Sequence, residues 1–272
     1  MTATQTQTIT FKHSINSGDL IASMAGIKKV CHELNSKAII YQRLDLPARY
    51  YSGAIHPIKD EGGVQVCMNK NMFDMLYPLV VSQDYVEDFR IWQGEKVVVD
   101  IDKMRDECFC NLPYGAIQNW VGLVYPDMQT DLSKAWIDVA KVDNDLSDKA
   151  IINFTQRYRN DAIAYYFLRD YEDKLVFAGT RDEHELFTRK YNLIMPRLTI
   201  TNFLELAQAI KSCKFFLGNQ SFAWNVSEAM KVPRIVELCH FAQNCIHGIG
   251  KDSYGYFLQG HLEYFVKTLF EK

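Results

Sequence analysis

Phe215–Leu238 reads FFLGNQSFAWNVSEAMKVPRIVEL, and its pattern decides the fold class. Phe215, Phe216 and Leu217 close an apolar run that Gly218 breaks, and the polar Asn219, Gln220 and Ser221 follow. Val226, Ala229 and Met230 then recur at helical spacing, and a second apolar run, Ile235 to Leu238, begins after Pro233. The order is strand, polar turn, helix, strand. In an open parallel sheet such a turn sits at the carboxyl end of a strand and the amino end of a helix. Free N–H groups and the helix dipole face an incoming anion there, so the turn reads as a phosphate or nucleotide site. A plainer reading stands beside it, because Ser221 is a competent helix N-cap. Adjacent Asn and Gln nevertheless supply side-chain donors and acceptors where plain turns favour Gly, Pro or Asp.

Outward from this segment, the second half alternates at short spacing. Strands are predicted at Ala150–Phe154 and Lys174–Ala178, between the next two helices, at Phe215–Leu217 and at Arg234–Leu238. Helices are predicted at Asp161–Tyr171, Glu183–Tyr191 and Phe203–Lys211. That alternation specifies a parallel, doubly wound sheet. The first half offers strands at Thr8–His13, Lys37–Tyr41 and near Val97–Ile101, with helices near Asp19–Leu34 and at Lys70–Tyr77, stopped by Pro78. Residues 43–66 mix Pro, Gly and charge without periodicity and read as a long loop, an element that often binds ligands. Leu112–Trp136 is aromatic and irregular, and Asp143–Ser147 has linker composition, so the boundary is placed near residue 145. Gly248–Gln259 reads as a flexible flap, and His261–Phe270 as a last amphipathic helix. The expected architecture is α/β: two Rossmann-like parallel-sheet domains, 1–145 and 146–255, followed by a terminal segment, 256–272.

The turn at 219–221 resembles the sugar-nucleotide loop of glycosyltransferase family 9, the ADP-heptose heptosyltransferase type. In that family a strand ends in Asn-Asp-Ser-Gly, a His follows, and an Ala-rich helix leads to a Val-Pro strand. Asn219, Ser221, Ala229, Val232 and Pro233 match; Gln220 stands in place of Asp, Phe222 in place of Gly and Asn225 in place of His. A second match lies near the amino terminus, where Thr8–His13 (TITFKH) leads to Asn16-Ser17-Gly18-Asp19 and a helical pattern of Leu20, Ile21, Met24, Ile27 and Val30. The family opens with strand, Gly-Asp, helix, and its Asp is the proposed catalytic base on the acceptor hydroxyl. The resemblance implies that role for Asp19, with Ser17 and Gly18 beside the donor. It also implies a GT-B-like fold with a cleft between the domains and a terminal helix packing back on the first domain. From its own segment alone, Asp19 reads first as an ordinary acidic first-turn residue complementing the helix dipole; combined with the distant turn at 218–221, the functional reading becomes the better one.

Further groups suit a nucleotide diphosphate. Thr155, Arg157 and Arg159 follow the first strand of the second half, and guanidinium groups there match a diphosphate, bidentate and permanently charged. The alternative is a solvated basic loop. Gly179 allows close backbone approach, and Glu183 is placed to accept hydrogen bonds from a ribose or base or simply to start a helix. Asn225 and Glu237 complete the donor set, with Tyr254 and Gln259 near the same edge.

Composition sets the remaining bounds. A chain of 272 residues at 48% hydrophobic content can bury an ample core, for one large domain or two small ones. Net charge is −3 and the sequence pI is about 6.2, which gives no global drive toward nucleic acid or anionic membrane. No run of about 18 apolar residues occurs, and the polar start MTATQTQT reads as neither a signal nor an anchor. Seven scattered cysteines fit a reducing, cytoplasmic setting. Cys239, His240, Cys245 and His247 have metal-ligand chemistry, but their spacing matches no usual site, so no metal is expected. Cys108 and Cys110 read as structural. Signatures for P-loop, dinucleotide-binding, nucleophile-elbow and HExxH enzymes are absent.

The expected function is transfer of a sugar from a nucleotide-diphosphate sugar to an acceptor hydroxyl on a glycan, by direct displacement with inversion and without a metal or other cofactor. Two alternatives stay open. One is a phage-type transferase acting on hydroxymethylated DNA bases, which a basic patch of Lys28, Lys29, Arg43 and Arg49 would favour. The other is a non-catalytic nucleotide-sugar binding protein.

Overall fold

A computed structural model describes residues 7–105, 117–142, 145–242 and 248–272. Cys108, Cys110, Cys245, His247 and Asp143–Asn144 of the expected linker lie outside the described residues. The first sheet has the order β3-β2-β1-β4, from β1 (Gln7–His13), β2 (Ser36–Gln42), β3 (Val86–Ile91) and the two-residue β4 (Val99–Asp100). The second has the order β6-β5-β7-β8-β9, from β5 (Ala150–Asn153), β6 (Leu175–Phe177), β7 (Phe215–Asn219), β8 (Arg234–Glu237) and β9 (Ser253–Tyr256). Every pairing in both sheets is parallel.

These strand orders locate the crevices. A parallel sheet opens for ligand where neighbouring strands send their connections to opposite faces. In the first sheet that reversal falls between β1 and β4, and in the second between β5 and β7. The segments leaving those strands are the β1 turn into α1 (Ser17–Glu33), the single-turn 3₁₀ stretch Ile101–Arg105, the loop after Asn153, and the β7 turn into a short helix, Phe222–Ala229.

Between them, α2 (Lys70–Val81) leads to β3, α3 (Trp120–Val124) belongs to the connection between the sheets, and α4 (Arg181–Tyr191) and α5 (Phe203–Ser212) lie between β6 and β7. The Phe222–Ala229 helix is α6, and α7 (Gln259–Glu271) closes the chain. Side-chain alternation across the second sheet divides the core. Ile151, Val176, Phe216 and Val236 join a cluster that also holds Phe11, Leu20, Ile40 and Phe89 of the first half. Ile152, Phe177, Leu217 and Ile235 face a second cluster with Leu262, Val266 and Leu269. The halves therefore share one apolar core. Trp136 ties them further: its indole N–H donates to the Ile21 carbonyl at 2.7 Å and its backbone N–H to the Ala229 carbonyl at 2.9 Å.

Several expectations are corrected. The terminal helix α7 buries its apolar face on the second sheet, with Phe270 against Phe215 at 4.8 Å, instead of on the first half. The helix expected at Asp161–Tyr171 is a 3₁₀ stretch at Tyr166–Lys174, in which only Leu168 is buried, too little for a continuous apolar stripe. No strand forms between α4 and α5: Phe177 bonds the Pro196 carbonyl and Leu198 bonds Phe177, leaving a single bridge, because Pro196 has no N–H to extend a ladder. Helix α2 runs through Pro78 to Val81: the proline removes one ladder bond and crowds the Asp74 carbonyl, and burial of Leu76, Leu79 and Val80 on either side of it offsets that cost. Part of the expected flap is β9, paired along β8. Among the described residues no helix is long and apolar enough to cross a membrane, and Cys31, Cys67, Cys213 and Cys239 are free and buried.

Candidate functional site

The β1–α1 turn carries a network of charged groups. Asn16 precedes α1 in an extended conformation and makes no capping bond with its side chain. Its amide instead donates to Asp19 at 3.3 Å and accepts from the Tyr50 hydroxyl at 2.6 Å. Asp19 is 5% exposed and ion-paired with Arg105. Arg105 reaches it from the 3₁₀ stretch after β4, with its guanidinium 4.8 Å from the Trp120 ring centroid. From the same stretch the Asp102 carboxylate accepts from the Ser14 backbone N–H at 2.7 Å and the Ser14 hydroxyl at 2.6 Å. It also pairs with Lys12 at 3.0 Å. Burial opposes the Lys12 charge, but Asp102 and Asp100 more than offset it and raise its pKa.

Beneath this network lies His13, fully buried at the end of β1. Gln42 donates its amide to the Arg43 carbonyl at 2.9 Å, so its oxygen faces His13 Nδ1 at 2.7 Å. Nδ1 must then carry the proton. Nε2 keeps a bare lone pair, buried and without a partner among the described residues. Burial lowers the His13 pKa, in keeping with a neutral ring.

The β7–α6 turn is built from amides. Ser221 caps α6, accepting from the Trp224 N–H at 3.2 Å while donating to Asn153 at 2.7 Å. Asn219, wholly buried, clamps the loop after β5. It accepts from the Thr155 N–H at 3.0 Å and donates to the Arg157 carbonyl at 2.5 Å. Gln220 donates to the Ala242 carbonyl at 2.6 Å. Asn225 donates to the Ser221 carbonyl at 3.1 Å, and its own buried oxygen has no partner among the described residues.

The two turns face each other. A methyl group at Gly18 would lie 3.1 Å from the Asn225 amide nitrogen and 3.7 Å from the Phe222 Cα. The Arg157 guanidinium crosses between the halves and sits 4.5 Å from the Tyr50 ring centroid. Its buried Nε has no acceptor among the described residues. Burial raises the Tyr50 pKa to about 12 against the pull of Arg157. Burial, then Arg157, lowers that of the neighbouring His56 to about 4. Tyr51 adds a second bridge, accepting from the Tyr158 N–H at 3.2 Å and meeting Phe241 at 5.0 Å between ring centroids.

Of the expected donor residues, Ser17, Gly18, Thr155, Arg157, Asn219, Gln220, Ser221 and Asn225 thus gather around the paired turns. Four others are committed elsewhere. Arg159 pairs with the fully buried Glu237 at 2.9 Å and stacks on Phe154 at 4.6 Å. Glu237 further accepts from the Asn160 N–H at 2.6 Å and from the Tyr165 hydroxyl. Glu183 forms a capping box with Thr180, and a methyl at Gly179 would strike Phe177 at 2.7 Å. Tyr254 stacks on Phe265, and Gln259 bonds Ala164. Among the described residues no cluster of His, Cys, Asp or Glu is placed to hold a metal. The basic patch is dispersed as well. Lys28 and Lys29 lie roughly 15 Å along α1 from Gly18, bonded to the carbonyls of Ala135 and Asp127.

Sequence reasoning missed His13, Tyr50, His56, Asp102 and Arg105. Only the strand-end position of His13 and the Asp102–Arg105 run directly after a β-rich stretch carried any signal.

No family model matches the chain, and no curated protein matches it. Solved structures do. E. coli heptosyltransferase WaaC with ADP superposes with a TM-score of 0.63 at 9% identity, covering 97% of this chain and 100% of that one. A family 9 glycosyltransferase from Veillonella parvula gives 0.56 at 11%, covering 98% and 89%. E. coli ADP-heptose heptosyltransferase II gives 0.52 at 10%, covering 97% and 98%. The chain therefore has the fold of these glycosyltransferases along nearly its whole length.

Proposed function

We propose that the protein is a glycosyltransferase that moves a sugar from a nucleotide-diphosphate sugar to a hydroxyl group of a glycan, in a cleft between its two sheets. The observation that carries this reading is the apposition of the two turns. A carboxylate, Asp19, stands at one sheet's crevice, and an amide-lined helix start with the arginine Arg157 stands at the other. ADP in the E. coli heptosyltransferase of the same fold supports a nucleotide donor.

In this mechanism the diphosphate lies against the backbone N–H groups at the start of α6, with Asn225 and Arg157 beside it. Asp19 takes the proton of the acceptor hydroxyl as its oxygen bonds to the anomeric carbon. The anomeric C–O bond to the diphosphate breaks, the nucleoside diphosphate leaves, and a single displacement inverts the anomeric centre. Arg105 orients Asp19 through their ion pair, while Asn16, itself held by the Tyr50 hydroxyl, donates to its other oxygen. Arg159 and Glu237 brace the loop that presents Arg157.

A melting-temperature panel of ADP-, UDP-, GDP- and CMP-sugars tests the reading, because a ligand that binds the native state raises its apparent stability. One nucleotide class is expected to raise the melting temperature and then to be consumed with a glycan acceptor. Binding without transfer to glycans or hydroxymethylated DNA would make it a nucleotide-sugar binding protein. Transfer to DNA alone would replace the glycan.

A further inference from the structure

At the carboxyl edge of the first sheet, two strands away from the β1 turn, an open depression of about 610 Å³ is lined by Arg43, Asp45, Trp92, Gln93 and Gly94, among others. None of these residues belongs to the paired turns. The strands that carry it are tied to β1 by backbone bonds: Arg43 N–H donates to the His13 carbonyl at 2.8 Å, and Trp92 N–H to the Gln42 carbonyl at 2.9 Å. Two strand spacings place it roughly 10 Å from the end of β1.

We propose that this depression is a sugar-binding subsite that holds a pyranose residue of the acceptor glycan, beyond the sugar whose hydroxyl reaches Asp19. The proposal rests on the transferase reading for the name of its ligand, but the binding it describes does not need transfer.

The chemistry of the lining argues for a sugar. Trp92 is half-buried. Its indole is fixed by the N–H bond to the Glu95 carbonyl at 3.0 Å, while Gln93 N–H bonds the Glu95 carboxylate at 2.6 Å. The tight turn they form is completed by Gly94 at φ 108°, with open space where a side chain would stand. A rigid aromatic face with a negative quadrupole suits the positive C–H face of a pyranose. The ring already attracts cations, with Lys12 at 5.3 Å and Arg43 at 6.0 Å from its centroid. Arg43 and Asp45 are both exposed, and neither has an ion-pair partner among the described residues. A guanidinium, a carboxylate and the Gln93 amide together supply donors and acceptors for vicinal hydroxyls. An apolar ligand would leave all three unused, and a bare phosphate would meet the Asp45 carboxylate.

The test uses the full chain without donor. Cellobiose, lactose, N,N′-diacetylchitobiose and digalacturonate are titrated in the tens of millimolar, with saturation-transfer NMR as readout. At least one is expected to bind, about tenfold more weakly in Trp92→Ala and several-fold more weakly in Arg43→Ala, whose exposed side chain puts folding at no risk. Sugar binding that depends on Trp92 supports the subsite even if no nucleotide binds, in which case the transferase reading alone falls. Binding of none of the four sugars, or binding indifferent to both Trp92 and Arg43, overturns it. So does a single-stranded oligonucleotide containing hydroxymethylcytosine that binds through Trp92 in place of any sugar.

Discussion

The turn after β1 and the turn after β7 occupy equivalent places, each at a strand's carboxyl end and a helix's amino end, yet they are made of different chemistry. The first gathers Asp19, Arg105, Asp102, Lys12 and a neutral, buried His13. Its helix start is left without a side-chain cap. The second is capped by Ser221 and lined by Asn153, Asn219, Gln220 and Asn225, with Arg157 as its cation. Under the proposed mechanism, the titratable groups stand where a proton would move, and the neutral amides stand where a diphosphate would rest. Glu237, opposite Asn219 across the β7–β8 pairing, is ion-paired with Arg159 and accepts from the Tyr165 hydroxyl. The difference between the turns amounts to a division of labour, and it can be broken in several ways.

The largest expected effect is on the charged side. Asp19→Asn should lower kcat by about 10²–10⁴-fold while the protein stays folded, because the amide keeps the shape and removes the basic oxygen. Steady-state rates with the identified donor and acceptor, with a melting curve as control, decide it; wild-type turnover would remove Asp19 as base. On the amide side, Asn219→Ala should cost roughly 3 kcal/mol in urea unfolding. It strands the Thr155 N–H and the Arg157 carbonyl together. A loss within experimental error would mean that Asn219 does not anchor that loop.

A smaller effect comes from the buried imidazoles. His56, with its pKa lowered to about 4, is neutral in both folded and unfolded states above the ordinary value of 6.5. Below that value the unfolded chain takes up a proton that the folded chain resists, so stability falls with pH. Between pH 7.5 and pH 5 the loss from His56 should be about 2 kcal/mol, and His13 acts in the same direction. Urea midpoints at the two pH values should differ less in His56→Gln than in the wild type; an equal difference would contradict the assignment. Smallest is Ser221→Ala, at about 1 kcal/mol for a lost cap. Its nucleotide affinity should fall little, because the backbone N–H groups of α6 remain.

Both turns were legible as elements, but not the residues that meet at them. Phe215–Leu238 announced strand, turn and helix because its apolar runs and its polar break are local. The β1–α1 unit was legible for the same reason. β3 was not: its sequence VEDFRI exposes Glu87 and Arg90 at the sheet edge, so only Val86 and Phe89 carry the buried signal. The partners of Asp19 were hidden by distance along the chain. Arg105 arrives 86 residues later, from a 3₁₀ stretch that follows a two-residue strand. Tyr50 comes from a loop without periodicity. Arg157 and Arg159 looked alike in sequence, but the buried Glu237 claims the second and leaves the first facing Tyr50. Glu183 and Gly179, taken for ligand contacts, serve a capping box and close packing, two local uses that share the same residue types.

The division of labour is tested most directly by one calorimetric experiment, in which the nucleotide diphosphate that best protects the wild type is titrated into Asp19→Asn and Arg157→Ala side by side. The predicted result is wild-type affinity in Asp19→Asn and a loss of roughly 1.5–3 kcal/mol in Arg157→Ala, the worth of a hydrogen bond to a charged group. Unchanged affinity in Arg157→Ala together with a loss in Asp19→Asn would place the nucleotide on the charged turn and contradict the account.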